Sequence, residues 1–212
     1  MICLNAKVNL NIKLKKFLIK TEKELNNFFQ IKLESPLVIL LNSRKDINKI
    51  FGKKTPTWLV GFIRKNSIFI LHPKVYTKES SHKSRQDFWK TLKHEYCHLY
   101  YKKITGNTCP DWLNEGLACF LAKQVKPKLN IDESLDVLKN FPVGKGDVYK
   151  IGYFWVGLLL KKFGKLRLIK LLRSFKPETS EHDFAKIFYK IYKIKFDNKG
   201  LEKIFKLKIY SK

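Results

Sequence analysis

The amino-acid sequence predicts an α+β fold, with a small mixed or antiparallel sheet and helices in an N-terminal lobe and an all-helical C-terminal lobe. Every segment with the length and apolar pattern of a strand lies before residue 75. Beyond that point, apolar residues recur in successive segments with the period of an amphipathic helix. We expect a single domain over residues 1–212, with the α/β lobe at 1–105 and the helical lobe at 106–212.

Three stretches predict the strands. Residues 8–14 alternate apolar and polar side chains, which indicates a strand with one solvent-facing side. Leu37–Leu41 is a short apolar run typical of a buried strand. Residues 58–63 and 67–71 flank a short polar turn, and this pattern predicts a β-hairpin.

Capping residues mark the helix boundaries. A Ser or Thr followed three residues later by Asp or Glu forms a capping box, which predicts helix starts at Thr21, Ser43 and Ser84. The second of these helices ends at Gly52, and the third covers residues 85–102. Further helices are predicted over residues 110–123, 132–141, 149–163, 166–175, 184–192 and 201–207, with a turn at 142–146 and a break at Gly164.

The third of these helices carries the sequence H-E-Y-C-H, in which His94 and His98 are separated by one helical turn. Both imidazoles therefore lie on one helix face and can bind the same metal ion. Glu95 is placed beside that ion, where its carboxylate can take a proton from water. With five His and ten Glu in 212 residues, such a motif would arise by accident in roughly 0.005 chains.

A catalytic zinc site usually has three protein ligands and one open position, so a third ligand is needed. Glu115 follows His98 in the segment W-L-N-E-G-L-A, near the start of the next predicted helix. A carboxylate at this place could instead complement the positive end of the helix dipole.

H-E-Y-C-H followed by W-L-N-E-G-L-A resembles the gluzincin zinc peptidases, the peptidase-MA-like relatives of thermolysin and the zinc aminopeptidases. The resemblance is specific over residues 67–122. It implies a zincin-like peptidase domain with one Zn²⁺ ion held by His94, His98 and Glu115. It also implies hydrolysis of peptide or protein substrates by a metal-activated water, with Glu95 as general base, and we favour an endopeptidase.

Two further features follow from the resemblance. In related aminopeptidases a Tyr three residues before a Gly contacts the developing oxyanion, and Tyr149 precedes Gly152 with that spacing. Tyr153 is the alternative donor, and a Tyr packed in the helical lobe is an equally weighted interpretation. The strand at 67–71, just before the zinc helix, is expected to form the sheet edge along the cleft, open to strand addition by substrate.

The chain also departs from related patterns. Thermolysin-type enzymes have an Asp four residues after the third ligand, where this chain has Cys119. Zinc aminopeptidases carry a G-x-M-E-N segment, but Met1 is the only methionine here, so aminopeptidase specificity is unsupported. Metzincins and SprT-like proteases use a third His; the only His after His98 is the remote His182.

The net charge of +26 suggests affinity for polyanions. Only five of the 44 basic residues are Arg, and Lys is spread over the whole chain, which favours non-specific binding over sequence-specific recognition. Two alternative functions stay open: a basic nucleic-acid-associated protein, and a zinc-binding protein without turnover, which the presence of Glu95 disfavours.

The four cysteines, Cys3, Cys97, Cys109 and Cys119, have no disulfide-framework spacing. Without a signal-peptide pattern, we expect reduced thiols and a cytoplasmic location. A structural zinc site at Cys97 and Cys109 is a minor alternative, because its spacing is not that of a finger or knuckle. The longest apolar run, 151–160, is too short to span a bilayer.

Overall fold

A computed structural model of the chain describes residues 12–107, 109–126, 128–139 and 147–207. These residues form an α+β fold with eight α-helices and a three-stranded mixed sheet, so the predicted fold class is confirmed at this level. The chain divides into two compact units, residues 1–99 and residues 100–212. Among the described helices, none has the length and apolarity needed to cross a membrane.

The sheet and two helices precede the motif helix. In chain order the strands and helices are α1 (Ile12–Phe29), β1 (Leu37–Leu41), α2 (Arg44–Phe51), β2 (Gly61–Arg64), β3 (Ser67–Leu71), α3 (Arg85–Thr105), α4 (Asp111–Leu121), α5 (Ile131–Leu135), α6 (Val148–Ser174), α7 (Glu181–Tyr192) and α8 (Asn198–Lys206). A short 3₁₀ turn, Asp136–Lys139, follows α5.

The sheet has the strand order β1-β3-β2, with β1 parallel and β2 antiparallel to β3. The predicted hairpin is confirmed, and its turn consists of Lys65 and Asn66, with Lys65 in the left-handed region at φ 51°. The expectation that β3 forms the sheet edge is wrong, because β3 lies between the other two strands. The outer strand of the hairpin is β2. Strand order depends on the pairing of β1 with β3, which is distant in sequence and leaves no local signal.

The predicted strand at residues 8–14 is wrong where the structure describes it, since α1 begins at Ile12; residues 8–11 lie outside the described residues. Leu14, Thr21, Leu25 and Phe29 are buried in α1 at the spacing of one helix face. Thr21 is only 2% exposed and lies inside this helix, so it does not cap a helix start as predicted. The alternation at residues 8–14 has the period of a strand, but in α1 Leu14 is buried while Ile12 is 73% exposed, so the two do not share one apolar face.

The predicted start and end of α2 are confirmed. Ser43 and Asp46 form a reciprocal capping box, and Gly52 closes the helix in the left-handed conformation at φ 68°. The helix with the H-E-Y-C-H motif begins at Arg85 as expected and continues to Thr105. The motif thus lies in the middle of a long helix, and this helix contacts strand β2 at Gly61.

In residues 100–212 the predicted helices are confirmed where they are described, with two qualifications. The helix predicted at 132–141 is α5 followed by the 3₁₀ turn, and its last residues lie outside the described residues, as does the turn at 142–146. The break at Gly164 is a kink inside α6, where φ is 78° and ψ is 168°. The core of this unit is aromatic, with Trp112, Trp155, Phe184 and Phe188 almost fully buried.

A Gly164→Ala substitution is expected to lower the free energy of unfolding by about 1–3 kcal/mol. A Cβ at Gly164 would meet nothing within 4 Å, so the cost comes from backbone strain alone. Gly157→Ala, in the helical part of α6, is the matched control, with an expected gain of about 0.5–1 kcal/mol from helix propensity. Urea unfolding measures both; equal stability of the two variants would contradict this account.

Candidate metal centre

Helix α3 places the two histidines of the motif side by side. Their ring centroids are 4.6 Å apart and the rings are nearly perpendicular, at 88°. Each residue is only 7% exposed. Since neutral imidazole is a common ligand of transition metals, a buried pair one turn apart provides two of the ligands that such an ion needs.

Helix α4 contributes the third side chain. Glu115 lies in its second turn, with its Oε2 atom buried. One ligand atom from each of His94, His98 and Glu115 lies within 4.8 Å of the others, and no other such group of three His, Cys, Asp or Glu occurs among the described residues. The structure thus brings together the three residues that the sequence singles out as ligands.

These residues suit a divalent ion. Two nitrogens and one carboxylate oxygen match the ligand types of zinc, whose bonds of about 2.0–2.2 Å place tetrahedral ligand atoms roughly 3.4 Å apart. The ligand atoms observed here lie within 4.8 Å of one another, so binding at that spacing would draw them closer together. A cation would also offset the cost of burying the Glu115 carboxylate. The group His94, His98 and Glu115 can therefore hold a metal ion.

Glu95 lies against the backbone of β2. It is 8% exposed, and a Cβ built on Gly61 would lie 3.0 Å from its Cγ and 3.1 Å from its Oε1. The same Cβ would be 3.2 Å from Cγ2 of Thr91, one turn earlier on α3. Glycine at this point of β2 leaves the space that the Glu95 side chain occupies. Sequence analysis missed this role, although a Gly inside a strand pattern often marks a close backbone approach.

A buried tyrosine supports this part of α3. The hydroxyls of Tyr76 and Thr91 are hydrogen-bonded at 2.7 Å, and Tyr76 is fully buried. Burial raises the pKa of the Tyr76 phenol well above its usual range; the bond to Thr91 opposes this, and the carboxylates of Asp87 and Glu95 add to it. The phenol therefore stays neutral and keeps Thr91 in place. Sequence analysis gave no signal for Tyr76.

If the chain has the zinc-peptidase activity that its resemblance to gluzincins implies, Gly61→Ala is expected to reduce kcat about 10-fold without removing the metal, because the added methyl group displaces the Glu95 carboxylate. Gly61→Val should reduce kcat further, because its side chain is larger. Ile63→Val on the same strand adds no atom toward Glu95 and serves as the control. Steady-state kinetics together with metal content would test this; an unchanged kcat for Gly61→Ala would show that Glu95 does not depend on the contact.

The two tyrosines considered as oxyanion donors both lie near the start of α6. Tyr149 is half-buried, with the Lys126 ammonium 5.3 Å from its ring centroid. Tyr153 packs its ring against Phe120 of α4 at 5.9 Å between centroids. The contact of Tyr153 with an apolar ring favours a packing role for it, and Tyr149 stays the predicted donor.

The Cys119 position does not provide a carboxylate for a metal-bound histidine. Cys119 is buried in α4, and its Sγ donates to Oε1 of Gln124 at 3.5 Å. Cys97 is buried and Cys109 is half-buried, and neither belongs to the metal-binding group formed by described residues.

Comparisons with known proteins identify no relative: no protein-family model, curated protein or solved structure matches the chain. Any functional assignment therefore rests on the residues of this chain and on the geometry of its candidate metal centre.

Proposed function

We propose that the protein is a zinc-dependent peptidase of the gluzincin type. The observation that carries this proposal is the grouping of His94, His98 and Glu115, with ligand atoms within 4.8 Å of one another. Glu95, which follows His94 on the same helix, is itself buried. A purely structural zinc site is usually closed by four protein ligands, whereas the group found here has three. Three ligands and a neighbouring base are the composition of a hydrolytic site.

The histidines and the glutamate would contribute differently to metal binding. The two imidazoles bind as neutral donors, and the Glu115 carboxylate lowers the net charge of the site. When bound, zinc would supply a Lewis acid and bring the pKa of water toward neutrality. Within the described part of the chain only these three side chains are grouped as ligands, which would leave one position open for the reaction.

Glu95 acts as the general base in this proposal. Its carboxylate accepts a proton from the attacking water and then delivers it to the leaving amine. The contacts with Gly61 and Thr91 hold the side chain in place, so little rotational freedom is lost at the moment of reaction.

Tyr149 is the proposed donor to the carbonyl oxygen that becomes negative during attack. Two observations support this assignment: Tyr149 has the Y-x-x-G spacing with Gly152, and it lies half-buried in the first turn of α6. A hydroxyl that donates to the developing oxyanion lowers the barrier by stabilising its charge.

Substrate binding is proposed at β2, the outer strand of the described hairpin. Leu71 N–H donates to the Val60 carbonyl at 2.9 Å, so Val60 faces β3. Peptide groups alternate in direction along an antiparallel pair, and Gly61 and Ile63 therefore face away from β3. An extended peptide added at this edge would pass the point where Gly61 touches Glu95. Pairing of this kind needs no chain terminus, which favours an endopeptidase.

The proposal is tested by removing and restoring the metal. Purified protein is incubated with an unstructured protein substrate, with and without a zinc chelator. We expect cleavage that the chelator abolishes and one equivalent of zinc restores. Zinc binding without cleavage of any peptide pool would contradict the peptidase assignment and favour a zinc-binding protein without turnover.

A further inference from the structure

Helices α4 and α6 meet at two glycines with no side chain between them. A Cβ built on Gly116 would lie 2.3 Å from the carbonyl oxygen of Gly152. A Cβ built on Gly152 would lie 2.0 Å from the carbonyl oxygen of Trp112 and 2.8 Å from the backbone nitrogen of Gly116. All of these are backbone atoms, which cannot rotate away as a side chain can. The crossing therefore tolerates only glycine at both positions.

This requirement is local to the crossing. Gly157 lies in α6, five residues after Gly152, and a Cβ there would be 3.4 Å from the Phe120 ring, an ordinary packing distance. The same helix thus accepts alanine in one place and excludes it in another. General packing of α6 on α4 does not explain the pair of glycines.

The crossing coincides with the turn of α4 that carries the third metal ligand. Gly116 directly follows Glu115, and Trp112 precedes Glu115 by three residues. On α6, Gly152 is one turn after Tyr149. A separation of the two helices that moves α4 would shift its backbone at Glu115, which directly precedes Gly116.

We propose that the Gly116–Gly152 crossing is a positioning device that sets the place of the Glu115 carboxylate in the metal centre. The proposal rests on the assignment of Glu115 as a zinc ligand, and it does not require the protein to cleave peptides. Gly116 and Gly152 act through Glu115 and do not touch the metal.

Zinc affinity, measured by competition with a chromophoric chelator, tests the proposal. We expect Gly152→Ala to weaken zinc binding about 10–100-fold, the range found when groups that support metal ligands are altered. The matched control Gly157→Ala should change it less than about 2-fold. Gly116→Ala provides a second, independent variant at the same contact.

A double-mutant cycle separates positioning from general damage. In a Glu115→Ala background, Gly152→Ala should cause no further loss of zinc affinity, because the group it positions is gone. Full additivity would overturn the proposal. Unchanged zinc affinity in Gly152→Ala would also overturn it. The proposal would fail as well if both Gly116→Ala and Gly152→Ala stay unfolded in saturating zinc, because the crossing would then serve folding alone.

These outcomes differ from those that test the proposed function. If the parent protein binds zinc and cleaves nothing, the peptidase assignment fails while the non-additive loss of zinc affinity can still be observed. If the parent and Glu115→Ala bind zinc equally, both proposals fail together.

Discussion

Glu95→Gln is expected to lower the rate of peptide cleavage by about 10²–10⁴-fold while leaving zinc bound. The amide is nearly the same size as the carboxylate, so it still fits against Gly61 and Thr91. It cannot accept the proton of water, and the chemical step loses its base. Cleavage of an unstructured protein, followed with parent and variant at equal zinc content, measures the effect.

Glu202→Gln is the control for this experiment. Glu202 lies on α8, 3.8 Å from Lys206, and its exposed ion pair contributes little to stability. The control should cleave at the rate of the parent. Glu95→Gln protein that cleaves as fast as the parent would show that the proposed mechanism is wrong.

Glu115→Ala is expected to weaken zinc binding by more than the roughly 10–100-fold typical of residues that only support a ligand. The variant leaves the two histidines of α3 without the carboxylate of α4. Parent protein should also gain thermal stability from added zinc, because a ligand that binds only the folded state stabilises it. That gain should be largely lost in the variant, and melting curves at several zinc concentrations would show it.

Glu202→Ala serves as the matched control for the loss of a glutamate, and Glu115→Gln tests whether charge or shape matters. A zinc-dependent melting temperature that is identical in parent and Glu115→Ala would exclude Glu115 as a ligand. It would also remove the observation on which the peptidase proposal depends.

The motif was predictable from sequence because its information is local. His94 and His98 are one helical turn apart, and a helix that carries both must place them on one face. The capping box at Ser43 and the break at Gly164 were predictable for the same reason: a few neighbouring residues determine the backbone there. The approach of Glu115 to the two histidines was expected only through the resemblance to gluzincins.

What sequence analysis missed depends on contacts between distant segments. The pairing of β1 with β3 places β3 in the middle of the sheet. The local sequence of a strand does not specify which strand it pairs with. The first turn of α1 was mistaken for a strand because Ile12 and Leu14 continue a period-two alternation, whereas packing of the helix buries Leu14 and leaves Ile12 exposed. The contact of Gly61 with Glu95 joins a strand to a helix whose approach only the folded chain reveals.

The glycines of the site share one physical explanation. Gly61, Gly116 and Gly152 each lie where another group occupies the space of a Cβ. At Gly61 the group is a side chain that can shift slightly, whereas at Gly116 and Gly152 it is backbone. Substitution at Gly61 should therefore mainly change catalysis, and substitution at the crossing should change metal binding.

The central claim is that three side chains from α3 and α4 bind one zinc ion. Anomalous diffraction at the zinc absorption edge, from crystals of protein purified without added zinc, tests it most directly. We expect one strong peak about 2.0–2.2 Å from a nitrogen of His94, a nitrogen of His98 and a carboxylate oxygen of Glu115. No peak, or a peak at other residues with Glu115 turned away from both imidazoles, would contradict the account.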